Sequence, residues 1–189
     1  MSDEEMIMFL GCFAFILMIF YDFNQIKFHF KIGKFAFAAG SLLLMGITIF
    51  IMVSNVERLL HGTIYQYLFL FISFIFFMLL LYTLFFALPF DDTYIEQNKG
   101  KVQDQGVYSL CRHPGVLWFF ISYLFLAFSM ASQQVLYVAI VFSFLNLIYA
   151  YIQDKVIFPI MLDGYQSYQN RVPFLIPSKK SILAFCHKQ

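Results

Sequence analysis

The sequence predicts an all-α membrane protein of about five transmembrane helices, and three observations carry that expectation. Of the 189 residues, 61% are hydrophobic and 12% charged, about half the roughly 25% charged share of a soluble domain. The apolar residues fall in long stretches free of Asp, Glu, Lys and Arg. The remaining Lys and Arg are divided very unevenly between alternate connections. This composition excludes a disordered chain, a collagen-like chain and an ordinary globule. A net charge of +1 with no basic block makes nucleic acid an unexpected partner.

A bilayer core of about 30 Å needs roughly 20 apolar residues per helix, so the chain reads as one transmembrane domain, 1–189. The first span covers about 6–21. Its acidic start, Met-Ser-Asp-Glu-Glu, is unlike the basic start of a secretory signal, so it reads as a span and not a cleaved peptide. The second covers about 35–53. The third covers about 59–88 and stops at Pro89, because proline lacks an N–H and disfavours helix in the residue before it. From His113 to Gln153 no Asp, Glu, Lys or Arg occurs. The polar break Ser129-Met-Ala-Ser-Gln-Gln134 divides that stretch into a C-terminal helical hairpin with spans at about 115–128 and 135–152. The 27 Phe residues serve lipid contact and packing.

With five spans, one side of the membrane holds Lys27, Lys31, Lys34, Lys99, Lys101, Arg112, Lys155, Arg171, Lys179, Lys180 and Lys188. The other holds only Arg58. The positive-inside rule then puts the N-terminus outside and the C-terminus in the cytosol. Three cysteines, Cys12, Cys111 and Cys186, fit no disulfide framework. Cys111 and His113 lack the second ligand pair of a zinc site, so no metal is expected.

Two cytosolic segments carry possible chemistry. Gly106-Val-Tyr-Ser-Leu-Cys-Arg-His-Pro-Gly115 enters the hairpin. Pro114 suits a first helical turn, whose free N–H groups attract a carboxylate or phosphate. Arg112 adds a bidentate donor fork for the same kind of group. Arg112 and His113 also read as interfacial anchors. After the hairpin, Ser143, Asn146, Tyr149 or Ala150, and Gln153 share a helix face, followed by Asp154. That stripe reads either as the wall of a polar site or as interhelical packing. The polar and aromatic tail through Pro177 either folds back over a pocket or lies on the surface.

Together these segments resemble the integral-membrane methyltransferases related to isoprenylcysteine carboxyl methyltransferase and phospholipid methyltransferases. That family carries Gly-x-Tyr-x-x-x-Arg-His-Pro before a hairpin, here Gly106, Tyr108, Arg112, His113 and Pro114. After the hairpin it carries Tyr-x-x-Tyr-x-x-Arg-Val-Pro, here Tyr165, Tyr168, Arg171, Val172 and Pro173. The resemblance implies a methyltransferase region at about 91–177. It also implies a cytosolic pocket for S-adenosylmethionine under the C-terminal segment and a lipid or lipid-like acceptor. Carried over by position, the cofactor contacts are Val102, Gln103, Tyr108, His113, Pro114, Gly115, Val116 and Gln153. Arg112 and Asp154 are the expected catalytic residues, Arg112 holding an anionic group on donor or acceptor, and Asp154 or a tyrosine taking a proton if the acceptor is an amine. Val116 stands where the family has Tyr, Trp118 where it commonly has Gly, and Gln153 where it has Glu. Gly164 is displaced from the family's position, and Pro159 falls in an expected helix. Two other readings fit less of the pattern: an NADPH-dependent sterol or steroid reductase, and a non-catalytic membrane protein that keeps the fold.

Overall fold

The computed structural model describes residues 2–86 and 100–187. The expected helix end at Pro89, the Asp91–Lys99 part of the following loop, and Lys188 lie outside them. The regular secondary structure of the described residues is helical apart from one two-residue strand pair. Five long helices are α1 (Asp3–Phe23), α2 (Ala36–Ser54), α3 (Ile64–Phe85), α4 (Pro114–Met130) and α5 (Gln133–Ile152), and two shorter ones follow, α6 (Tyr165–Arg171) and α7 (Lys179–His187). Among the described residues, four helical stretches are long and apolar enough to cross a bilayer: Asp3–Phe28, Ile32–Ser54, Ile64–Phe85 and Gln133–Met161. The expected fifth, α4, has 17 residues. At 1.5 Å per residue it reaches about 25 Å, short of a 30 Å core.

Three boundaries differ from the sequence expectation. The helix expected from 59 starts at Ile64, after a short helix Val56–Leu60 and a break at His61-Gly62-Thr63. The apolar pair Leu59-Leu60 belongs to that short helix, and the Gln66 side chain accepts from the Thr63 N–H to start α3. The first helix continues past Tyr21 into a π-helical turn, Asn24–Phe28. The last long helix likewise continues past Ile152 through a π-helical turn, Gln153–Ile157, and Pro159 sits in the helical turn Phe158–Met161 beyond it.

The chain divides into two compact units. The first comprises Met1–Ile75 and Phe120–Tyr149. Its α1–α2 contact is built on small residues at helical spacing. The buried face of α1 runs Ile7, Gly11, Ala14, Met18, Asp22, and that of α2 runs Ala36, Gly40, Leu44, Ile47, Ile51. A Cβ on Gly40 would lie 2.7 Å from the Ala14 carbonyl oxygen, and one on Gly11 would overlap the Phe142 ring. Small residues let apolar helices approach closely, and hydroxyls supply polar contacts between them. Ser73 and Ser122 each donate to the other's carbonyl, at 2.8 and 3.1 Å, and Thr48 and Tyr123 share a hydroxyl–hydroxyl bond. The α4–α5 hairpin turns on two residues, Ala131 in the left-handed region and Ser132. Gln66 donates to the Ser129 carbonyl at 3.0 Å and Arg58 to that of Ala131 at 3.1 Å. They satisfy carbonyls that a helix C-terminus leaves open.

The second unit comprises Phe76–Phe119 and Ala150–Gln189. Strand β1 (Gly100–Lys101) pairs in parallel with β2 (Leu162–Asp163), in the register Gly100 to Leu162 and Lys101 to Asp163. Its small core is Tyr165, Tyr168 and Val172, with Val102, Phe158 and Leu162 against them.

Candidate functional site

Both motif blocks fold into this second unit, where Arg112 of the first and Tyr165 of the second meet at a buried carboxylate, Asp154. Arg112 Nε donates to Asp154 Oδ1 at 2.7 Å and Nη2 to Oδ2 at 3.0 Å. The third guanidinium nitrogen, Nη1, donates to the carbonyls of Gln169 at 3.0 Å and Val172 at 2.5 Å. Asp154 has no exposure to solvent and Arg112 only 9%. Its carboxylate also accepts from the Tyr165 hydroxyl at 2.8 Å and from Gln169 Nε2 at 3.2 Å. A buried pair is favourable only when hydrogen bonds satisfy its remaining lone pairs and protons, and that condition is met here.

Local geometry explains why these groups converge. The π-helical turn at Gln153–Ile157 leaves Asp154 and Ile157 inward, in line with Ala150, while Gln153 is half-buried. The acidic side chain of this turn, Asp154, is therefore the buried one, and its neighbour Gln153 carries no charge. Tyr165, Tyr168 and Gln169 follow the i, i+3, i+4 pattern of one helix face, so α6 presents them together, and Val172 caps its end. Gly164 (φ 79°) starts α6 and Gly106 (φ 56°) starts the tight helical turn Gly106–Ser109. Both are left-handed conformations natural to glycine. That turn carries Tyr108, whose hydroxyl donates to the Thr83 carbonyl at 3.0 Å. Tyr168 in turn donates to the Tyr108 carbonyl at 2.6 Å.

The segment after α6 crosses the start of α4. The Arg112 N–H donates to the Pro173 carbonyl at 2.9 Å and the His113 N–H to that of Phe174 at 3.2 Å. The tail therefore folds back over the Arg-His-Pro corner. The His113 ring stacks on Phe158 at 5.8 Å and tilts against Phe174 at 5.1 Å. His113 Nε2 is buried without a hydrogen bond and lies 3.5 Å from Asp154 Oδ1. Burial, outweighing the neighbouring carboxylate, holds this imidazole below the ordinary histidine value, so it is neutral at pH 7. Burial also pushes the Cys111 thiol up to about 11. It raises Tyr165 as well, where Asp154 adds to the effect.

Among the expected site residues, the structure brings Arg112, His113 and Asp154 together. It links Tyr108 to them through Tyr168 and Val102 through the Tyr165–Tyr168–Val172 core. Pro114 opens α4, Gly115 lies against Leu80, and Val116 is buried. Gln103 follows Val102 and is half-buried. From the polar stripe of α5, Ser143 Oγ is buried without a hydrogen bond. Two hollows, of about 260 and 440 Å³, belong to the first unit, and no expected site residue lines either.

The expected roles of Arg112 and Asp154 change with this geometry. Arg112, expected to grip an anionic ligand group, spends its fork on Asp154 and two carbonyls. Asp154, expected to take a proton, already accepts four hydrogen bonds. The contributions of Tyr165, Gln169 and the carbonyls of Val172, Pro173 and Phe174 were not read from sequence, although the Tyr165–Gln169 spacing was a usable signal. Set against a sulfonium donor, the site offers His113 Nε2 as an orphaned buried polar atom between aromatic rings. No carboxylate of the clasp is left without hydrogen bonds to face a sulfonium charge. Comparison with protein-family models, with curated proteins and with solved structures finds no match to this chain in any of the three.

Proposed function

We propose that the chain is an integral-membrane methyltransferase that uses S-adenosylmethionine to methylate a lipid or lipid-like carboxylate or amine. The observation that supports this reading most is the clasp of Arg112, Asp154 and Tyr165. In it one residue of each motif block of the resemblance, Arg112 and Tyr165, bonds to the same buried carboxylate. In this reading Arg112 and Asp154 are positioning residues. They hold the start of α4 and the residues after α5 in one geometry, and catalysis by positioning needs that rigidity.

Val102, Gln103, Tyr108, His113, Pro114, Gly115, Val116 and Gln153 would form the wall of the donor site. The chemistry supplied by the bound donor is a methyl group on a sulfonium, transferred by in-line displacement. The Phe158 and Phe174 rings beside His113 keep water from that corner. A carboxylate acceptor needs no proton removed. An amine acceptor does, and the neutral His113 imidazole is then the base, because Asp154 is saturated. The reductase reading loses support, since its cofactor phosphates would need the Arg112 fork. The saturation of Asp154 instead favours, as a second reading, a non-catalytic protein that keeps the fold.

For topology we propose five crossings, with α4 as the short one, the N-terminus outside and the C-terminus cytosolic. A reporter fused after Gln189 that proved extracellular would overturn it. The functional test is calorimetry on the detergent-purified chain with S-adenosylmethionine and NADPH. Binding of S-adenosylmethionine, weakened by His113→Ala, is the expected result. Binding of NADPH alone, or of neither, would overturn the proposal.

A further inference from the structure

The turn between α1 and α2 carries a surface that neither unit's core uses. From Phe23 to Val56 the sequence has Lys27, Lys31 and Lys34 and no Asp or Glu, and Asp22 just before it is buried. All three lysines are exposed. Between them, Phe28, Phe30, Ile32 and Phe35 are 44, 58, 85 and 72% exposed. Loops of water-soluble proteins rarely present so much apolar surface beside so much unpaired charge.

This turn is also built, not slack. Asn24 is buried to 1% exposure, and its side chain makes two bonds to one residue. Oδ1 accepts from the Phe30 N–H at 2.8 Å and Nδ2 donates to the Phe30 carbonyl at 3.0 Å. A Cβ on Gly33 would overlap the Asn24 side chain, so only glycine lets the chain close over it. His29 takes a left-handed conformation (φ 58°) to make the bend. The result is an ordered aromatic ladder. Phe28 stacks on Phe30 at 5.8 Å with rings 2° apart and on Phe20 at 6.4 Å, and Lys27 sits 5.8 Å from the Phe28 ring centre. Both flanking helices are long and apolar enough to span a bilayer, so such a turn would meet lipid headgroups.

We propose that the Lys27–Phe35 turn is a preorganised docking surface for anionic phospholipid. The Phe28–Phe30 ladder, Ile32 and Phe35 enter the acyl boundary, and Lys27, Lys31 and Lys34 meet the headgroup phosphates. Charge complementarity selects the occupant. Three exposed lysines, with the nearest acid, Asp22, buried, suit an anionic surface and disfavour a second copy of the same turn, which would set lysine against lysine. The inference is independent of the methyltransferase reading.

The test uses the full chain in nanodiscs with Phe28→Trp, the unchanged chain serving to subtract Trp118. Brominated phosphatidylglycerol and brominated phosphatidylcholine are compared as quenchers at equal mole fraction. Quenching by the anionic lipid should be favoured by about threefold or more, a conservative share of what three lysines supply near a charged surface. The preference should fall toward unity in about 0.5 M salt, where screening shortens to a few ångströms, and in Lys27→Gln/Lys31→Gln/Lys34→Gln. Equal quenching by both lipids would reduce the turn to ordinary lipid contact and overturn the proposal. Quenching by neither would overturn it too, because the turn would then face water or protein. If Phe28→Trp misfolds, Ile32→Trp at the most exposed apolar position of the turn gives the same readout.

Discussion

Two long helices end in a π-helical turn, and each turn buries one polar side chain that organises the segment after it. At the end of α1 the residue is Asn24, neutral, bonded to the backbone of Phe30 only six positions on. At the end of α5 it is Asp154, charged, bonded to Arg112 at a separation of 42 residues and to Tyr165 and Gln169 beyond it. A π-helical turn admits an extra residue and re-aims the chain beyond it, and such turns recur at functional sites. The difference is one of reach. A neutral amide satisfies two backbone groups and shapes one loop. A buried carboxylate needs a cation and several donors, so it must recruit distant segments. The neutral device belongs to a unit packed on Gly, Ala and Phe. The charged one holds together a unit with a small aromatic core.

The sharpest way to break the comparison is to remove the charge. Asp154→Ala leaves Arg112 buried and unpaired and should cost about 3–5 kcal/mol, read as loss of thermal stability in detergent. Arg112→Met/Asp154→Leu should be clearly less damaging than Asp154→Ala alone. A single variant within about 1 kcal/mol of the parent would show the clasp to be dispensable.

The first unit should answer to volume instead. Gly40→Ala drives a methyl group toward the Ala14 backbone and should cost about 1–3 kcal/mol by overpacking. Gly46 has open space where its Cβ would be, so Gly46→Ala should be neutral or stabilise by up to about 1 kcal/mol through helix propensity. The same melting assay separates the two, and equal effects would refute the packing assigned to α1 and α2.

Asn24→Ala should cost about 1–3 kcal/mol for the unsatisfied Phe30 backbone groups. Hydrogen exchange should rise in residues 24–35 while the 106–113 segment stays protected. Spread of the effect into that segment would mean the amide reaches further than one loop.

The smallest effect concerns protons. His113 titrates below its unfolded value of roughly 6.5, so between the two values the unfolded chain binds more protons. Stability should be whole above about pH 6.5 and decline as pH falls toward the folded value, by at most about 1.4 kcal/mol per pH unit. His113→Gln should flatten that slope, whereas Asn24→Ala should leave it unchanged, since an amide has no proton to gain there. An unchanged slope in His113→Gln would remove His113 as its source.

Much of this was legible in the sequence because hydropathy and proline act locally. The α4–α5 hairpin falls within two residues of its expected bounds, and Pro114 opens α4. The start of α3 was missed because Leu59 and Leu60 look like span residues, although Gly62 and Thr63 break the helix. The π-helical turns were not legible, since their cause is a partner elsewhere. Nothing around Asp154 in the sequence says that an arginine waits 42 positions earlier. The site was legible as a set of residues but not as a set of roles. An Arg beside a helix start looks like a ligand-binding fork until its carboxylate and carbonyl partners are located.

The span of the clasp also sets an order of events during synthesis. Arg112 leaves the ribosome 42 residues before Asp154 and 60 before Val172. Until then its guanidinium can only be hydrated or held by headgroups near the start of a charge-free helix. The α4–α5 hairpin is therefore made before the bonds that tie its two ends together can form. Closure waits for Phe174, whose carbonyl receives the His113 N–H. Assembly of the second unit thus comes after translation of both motif blocks.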